Sequence, residues 1–367
     1  GKGYWIRMPN NHPETATVWP GSFTGIPHNG EYNITMENFG FGNSFNLVGN
    51  PYPSPIDMYT FVGDNFMAIT GTLYFWRKTN ADSNPAYCTW NFGTFVGNGA
   101  AEVYDPLDII RTGQGFFVEA NFGETNLWFN NYQRINDTND QFFRAAQAEK
   151  HRIWVNLTGN NAFSQSAIVY STDGTPELDR MDGRYINDGA IRLTLKISGT
   201  EYSIQSRGGF DAADVVPMSY TVAAAGNYTL AIDRMDGLFL DDQQVFLRDN
   251  LLGTVHDIKN SPYSFTTESG TFDQRFDMLF QNALAVSQPE FTHNTVVVYR
   301  SGDAFVVDAG NVTLEEVLAY DMQGRLVAAK KSVNATSVSL SFGDAKQVIL
   351  LAIKREGGKV VHKKVLN

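Results

Sequence analysis

The densest run of oxygen donors in the sequence is the acidic loop Ser171-Thr172-Asp173-Gly174-Thr175-Pro176-Glu177-Leu178-Asp179-Arg180-Met181-Asp182. Hard cations take several oxygen ligands at roughly 2.3–2.6 Å, so Asp173, Asp179 and Asp182 could hold calcium, the one cofactor the sequence suggests. The spacing does not match an EF-hand loop, and Arg180 puts a positive charge inside the cluster. The same carboxylates also read as ordinary turn and surface groups, and Asp241-Asp242 is a weaker second cluster. No catalytic set stands out. There is no Gly-x-Ser-x-Gly, His-Glu-x-x-His, phosphate loop or dinucleotide fingerprint. His12, His28, His151, His256, His293 and His362 are scattered without metal-ligand spacing. The lone Cys88 reads as a buried structural thiol. The chain is therefore expected not to be an enzyme. Trp5, Trp19, Tyr52, Tyr74, Trp76, Tyr87 and Trp90 could form platforms for a surface glycan, but alternate aromatics also fill sandwich cores, and the core reading is favoured.

The elements that must position these residues read as strands throughout. The 367 residues are 43% hydrophobic and 13% aromatic, with 33 Gly, a composition of short strands joined by tight turns. No helical apolar period exceeds about two turns. The expected fold class is all-β: tandem antiparallel β-sandwich domains ending in a small immunoglobulin-like C-terminal domain. The expected boundaries are 1–144 for an aromatic, Gly- and Asn-rich domain, 145–285 for a β-sandwich, and 286–367 for the C-terminal domain, with a polar linker at Asp137–Lys150. In the first domain Phe45–Val48, Gly71–Trp76, Gly115–Ala120 and Asn126–Phe129 read as strands, and Pro51, Pro53 and Pro55 force an extended turning path. In the last, Thr295–Tyr299, Ala304–Val307, Glu316–Tyr320, Arg325–Ala329, Ser337–Ser341, Gln347–Lys354 and Val360–Leu366 make seven. The pentapeptide Asp179-Arg180-Met181-Asp182-Gly183 recurs as Asp233-Arg234-Met235-Asp236-Gly237, read as two similar turns.

Charge narrows the partners. The net charge of -11 disfavours nucleic acid, and no apolar stretch reaches the roughly 20 residues that span a bilayer. Residues 291–367 carry ten Lys/Arg against seven Asp/Glu, or +3, which leaves −14 for residues 1–290 and suggests separate surfaces. The opening Gly1-Lys2-Gly3-Tyr4-Trp5 leads straight into a strand-like run, so the chain is expected to begin inside a domain of a longer precursor.

The last segment contains Val317-Leu318-Ala319-Tyr320-Asp321-Met322-Gln323-Gly324-Arg325-Leu326-Val327, a strand, an Asp-x-x-Gly turn, a basic residue and a second strand. Lys331-Ser332-Val333-Asn334-Ala335-Thr336 and Gln347–Ile353 follow, and the sequence closes on Gly358-Lys359-Val360-Val361-His362-Lys363-Lys364-Val365-Leu366-Asn367. In order and spacing this segment resembles the C-terminal sorting domains of type IX secretion substrates from Bacteroidetes-type bacteria, and most closely the variant called sorting signal type C. Upstream, Asn46–Ser54 with Ile56-Asp57, Gly71–Trp76, Gly113–Val118 and Phe276–Phe280 are similar to regions that precede such domains in large flavobacterial surface proteins. The resemblance implies an exported, extracellular or cell-surface protein of adhesin or stalk type. Its implied partners are the type IX translocon and its outer-membrane shuttle protein, and the implied sorting residues are Tyr320, Asp321, Gly324, Arg325, Gly358, Lys363, Lys364 and Val365. The alternative is a carbohydrate-binding accessory module of a secreted glycoside hydrolase.

Overall fold

The structure, a computed structural model, describes residues 1–4, 24–77, 85–100, 103–136, 150–187, 189–281, 291, 295–310, 312–342, 347–355 and 358–366. Trp5, Trp19, His12, His293 and nearly all of the expected linker lie outside these residues, as do both expected domain boundaries. Within them the chain is nearly all β, in three modules each with its own apolar core.

The first module comprises β1 (Tyr32–Thr35), β2 (Phe45–Gly49), β3 (Ile56–Asp57), α1 (Met58–Asp64), β4 (Ile69–Trp76), β5 (Tyr87–Asn91), β6 (Thr94–Val96), β7 (Ile109–Ile110), β8 (Gly115–Ala120) and β9 (Asn126–Phe129). A five-stranded antiparallel sheet runs in the order β2-β8-β4-β5-β6. Strand alternation sends Leu73, Phe75, Cys88, Trp90, Phe116 and Val118 into a core shared with Phe61 of α1 and Phe129 of β9. It sends Thr72, Tyr74, Phe117 and Glu119 to the opposite face. The proline path is pinned by Asn50, whose amide donates to Ser54 O at 2.8 Å and whose Oδ1 accepts from Tyr52 N at 2.9 Å. It feeds α1, which starts where Asp57 caps Thr60 N at 2.8 Å.

The second module holds β10 (Lys150–Gly159), β11 (Ala162–Ser171), β12 (Gly183–Arg184), β13 (Ile191–Ile197), β14 (Thr200–Arg207), β15 (Val215–Val222), β16 (Gly226–Met235), β17 (Phe246–Asp249), β18 (Thr254–His256), β19 (Tyr263–Thr267) and β20 (Gly270–Leu279). Asn160 and Asn161, at φ 51° and 56°, turn the β10–β11 hairpin, and Ser198 and Gly199 turn β13–β14. All these strands belong to one eleven-stranded sheet, ordered β18-β17-β20-β15-β13-β14-β11-β10-β16-β19 with β12 on β14; its pair β11–β14 is parallel. The two layers of the sandwich are thus two halves of a single sheet. They meet where Phe265 of β19 packs on Tyr220 and Phe276, with ring centroids 5.4 and 4.7 Å apart. Arg275 staples that contact from inside. It donates to both oxygens of Asp249 and to Thr266 O, and its guanidinium lies 4.7 Å from the Phe265 ring centroid.

The third module holds β21 (Val297–Ser301), β22 (Ala304–Asp308), β23 (Leu314–Tyr320), β24 (Leu326–Ala335), β25 (Ser337–Leu340), β26 (Val348–Arg355) and β27 (Val360–Leu366). A three-stranded sheet, β21-β22-β25, faces a four-stranded one, β24-β23-β26-β27, across a core of Phe291, Val307, Val317, Ile349 and Ile353 among others. Seven strands in two antiparallel sheets form the small immunoglobulin-like sandwich.

Asp249 and Arg275 are both buried. Breaking a buried pair from one side leaves an uncompensated charge, which costs about 3–5 kcal/mol. Arg275→Ala is expected to lose that much stability in urea denaturation, and a loss below about 1 kcal/mol would show that the staple is dispensable.

Candidate functional site

The first two modules join face to face. Trp154 of β10 inserts with Ala167, Val169 and Ile204 against Val96 of β6, and its indole N–H donates to Phe95 O at 2.8 Å. Polar side chains lock the seam: Gln165 accepts from Gly97 N at 2.9 Å, Asn91 donates to Arg180 O at 2.9 Å, and Asn187 and Tyr87 exchange two bonds. The repeated pentapeptide takes two different forms, a loop entering β12 and the end of β16, yet both arginines reach the first module. Arg180 stacks on Phe66 and donates to its carbonyl, and Arg234 donates to Phe95 O.

Beside this seam lies a cleft of about 180 Å³ lined by Phe41, Thr70, Tyr74, Glu119, Asp182, Arg184 and Tyr202. Tyr74 and Glu119 come from the outward face of the first sheet, and Arg184 and Tyr202 from the adjacent strands β12 and β14. Glu119, 1% exposed, accepts through Oε1 from Gly42 N at 2.6 Å and Arg184 Nη1 at 3.3 Å. A Cβ on Gly42 would lie 2.5 Å from Arg184 Nη1, and its φ of +83° suits glycine, so this residue lets the guanidinium lie against the backbone. Burial holds the Glu119 carboxyl above the usual carboxylate range despite those bonds. Asp182, 5% exposed, accepts from Asp179 N and Ser206 N, each at 2.8 Å, and burial pushes it up to about 7. The hydroxyls of Tyr74 and Thr70 are buried and make no hydrogen bond among the described residues. The Thr72 hydroxyl next to them is already engaged, with Asp182 O and with Asn91.

The structure gives two of the three carboxylates in the calcium reading backbone partners. Asp179 caps Thr175 N at 2.6 Å and Met181 N at 2.7 Å, and Asp182 brackets two further amides, while Asp173 is exposed. Among the described residues no group of three His, Cys, Asp or Glu could hold a metal ion. Cys88 is buried and its thiol pushed up to about 12 by desolvation, far from thiolate chemistry at neutral pH. Tyr52, Tyr74 and Trp90 are core or seam residues; of the described aromatics singled out in the first domain, only Trp76 is largely exposed, at 42%.

In the third module, Asp321 and Gly324 close the β23–β24 hairpin. Asp321 accepts from Gln323 N at 2.9 Å, Arg325 N at 3.0 Å and Arg325 Nε at 2.7 Å, and Gly324 sits at φ 78°. The bond from the Arg325 amide, with the others, holds the Asp321 carboxyl below its usual range. Gly358, at φ 90°, turns β26 into β27. Lys363 and Lys364 part company. Lys364 is exposed on the outer face of the four-stranded sheet, in register with Leu350, Tyr320 and Leu326. Lys363, 7% exposed, points inward and donates to Glu268 at 3.1 and 3.3 Å. Glu268, in the β19–β20 turn, also accepts from Val298 N and so latches the third module to the second. Val365 is half-buried at the rim of the core. Glu119, Arg184, Tyr202 and Glu268 carried no local signal in the sequence, because each gains its partner only across modules or between strands far apart in the chain.

Fold and sites together define a tandem all-β protein with an immunoglobulin-like last module. Residues 1–280 match the family described as "Domain of unknown function (DUF8693)", and the chain belongs to that family. Residues 284–367 match a second, described as "Domain of unknown function (DUF8694)". No curated protein matches. Among solved structures the chain is similar to the "Central Fibronectin-III array of RIM-binding protein", at 11% identity and a TM-score of 0.16, over 94% of this chain and 99% of that one; so low a TM-score carries no argument about fold, which rests on the strand pairing above. No helix among the described residues is long and apolar enough to cross a membrane.

Two outcomes follow from these contacts. A carboxyl whose folded pKa is raised binds more protons folded than unfolded, so it favours the fold at acid pH and that contribution is lost as pH rises from about 4 through about 7. Thermal melts between pH 4 and 8 should therefore show a flatter decline in Asp182→Asn than in the parent, and superimposable slopes would refute this. Glu268→Gln removes a charged acceptor worth about 1.5 kcal/mol or more, so amide exchange at Val298 should speed about tenfold; an unchanged rate would show that the latch is idle.

Proposed function

We propose that the chain belongs to a non-catalytic cell-surface or secreted protein of adhesin or stalk type. Residues 1–280 are its display modules. Residues 291–367 are a sorting domain that engages the type IX secretion translocon and its outer-membrane shuttle protein. The observation that carries this reading is the outer face of the four-stranded sheet. Leu326, Tyr320, Leu350 and Lys364 stand side by side across β24, β23, β26 and β27. Leu350 is 41% exposed and Leu366, paired with Val348 next along, 73%. An apolar row ending in a cation, on a sandwich with its own core, is a surface a receptor can cover without unfolding it. β27 also offers an edge for strand addition, since among the described residues it pairs only with β26.

The resemblance places Tyr320 and Lys364 in the recognised motif, and both lie on this face. Asp321, Gly324 and Arg325 then act by fixing the hairpin that sets its end. In a host with type IX secretion, the double variant Leu350→Glu with Lys364→Glu is expected to accumulate in the periplasm while melting like the parent. Export at the parental level from a folded double variant would refute the assignment.

A further inference from the structure

The seam cleft combines features that ordinary packing leaves unexplained. Buried polar groups are normally paired, and leaving one unsatisfied is costly. Here the Tyr74 and Thr70 hydroxyls are orphaned together at one cleft. Tyr202, also buried, lines the same cleft. Both bonds to Glu119 fall on Oε1, which leaves Oε2 as an open acceptor, and Arg184 spends only Nη1. The cleft thus offers a carboxylate acceptor, guanidinium donors and two-way hydroxyls within one small space.

We propose that this cleft binds one neutral monosaccharide unit. Charge selects a neutral ligand: an anion would face Glu119 and Asp182, and a cation would face Arg184, which already neutralises Glu119. Alternating donors and acceptors match adjacent ring hydroxyls, each of which both gives and takes a hydrogen bond. The cleft is small, about 180 Å³, so the ligand it takes is of single-ring size. Phe41 at the mouth, exposed and with the Arg184 guanidinium 5.2 Å from its ring centroid, supplies an apolar face for the ring's C–H bonds. The site is built from both leading modules, so it exists only while the seam is closed. It is independent of the export reading, and either can fail alone.

Saturation-transfer NMR on the full chain with glucose, galactose, mannose and N-acetylglucosamine tests the proposal. Transfer from at least one sugar is expected. Tyr74→Phe and Tyr202→Phe each delete one oxygen without changing the cleft's shape, and each should weaken that sugar about three- to tenfold, the worth of one neutral hydrogen bond. No transfer from any of the four sugars, or affinity untouched by both substitutions, would overturn the proposal.

Discussion

The interaction on which most else depends is Trp154 wedged against the edge of the first sheet. Its ring is held between guanidinium groups, Arg234 at 4.0 Å and Arg152 at 5.0 Å from the ring centroid, and its N–H is fixed to Phe95 O. A buried aromatic with its polar atom satisfied and cations on its face combines area, direction and electrostatics in one residue. Its neighbours make the seam a true interior: Val96 from the first module is as buried as Ala167, Val169 and Ile204 from the second. The seam also sets the register of β12 and β14 over β4 and β8. Without it, Arg184 would not meet Glu119, and the cleft would be two unrelated surfaces.

The second join works differently. Between the second and third modules the Glu268 carboxylate serves Lys363 and Val298 N together, and Leu252 lies against Gly310. That carboxylate sits in the β19–β20 turn, whose strands carry Phe265 and Arg275, the residues that close the second core. The latch is therefore mounted on the best-anchored hairpin of the second module. The first join is an apolar, extensively bonded seam within the span of a single family; the second carries an ion pair whose lysine is nearly buried, so salt screens it less than a surface pair.

Much of the strand architecture was legible because alternation and turn chemistry are local. Gly115–Ala120 and Asn126–Phe129 emerge with the bounds read from the sequence, and all seven strands of the last module form, with ends moved by up to six residues at β24. The hairpin Asp321–Arg325 was legible for the same reason, since side-chain capping and a positive φ are written in five consecutive residues. The cleft was not legible. Glu119 and Arg184 are 65 positions apart and Thr72 and Asp182 are 110 apart, and no local pattern announces a meeting at that distance. In the acidic loop the sequence shows the clustered carboxylates but not the backbone amides that Asp179 and Asp182 accept from. The folding of eleven strands into one doubled sheet was equally hidden, because a strand's sequence does not say which neighbour it takes.

The pair Lys363-Lys364 shows why a motif and a surface are different things. Successive residues on a strand point to opposite faces, so two identical neighbours cannot share a task. Lys363 is drawn under the sandwich to Glu268, whereas Lys364 stands outside beside Leu350. A one-residue slip of β27 would exchange them, placing Leu350 opposite Lys363 and leaving Glu268 without its cation. The register of the last strand is thus specified twice, by Val361 and Val365 in the core and by the latch. Any receptor that reads the outer face reads a surface whose alignment the preceding module helps to hold, so presentation of the row from Leu326 to Lys364 is coupled to correct folding of what comes before it.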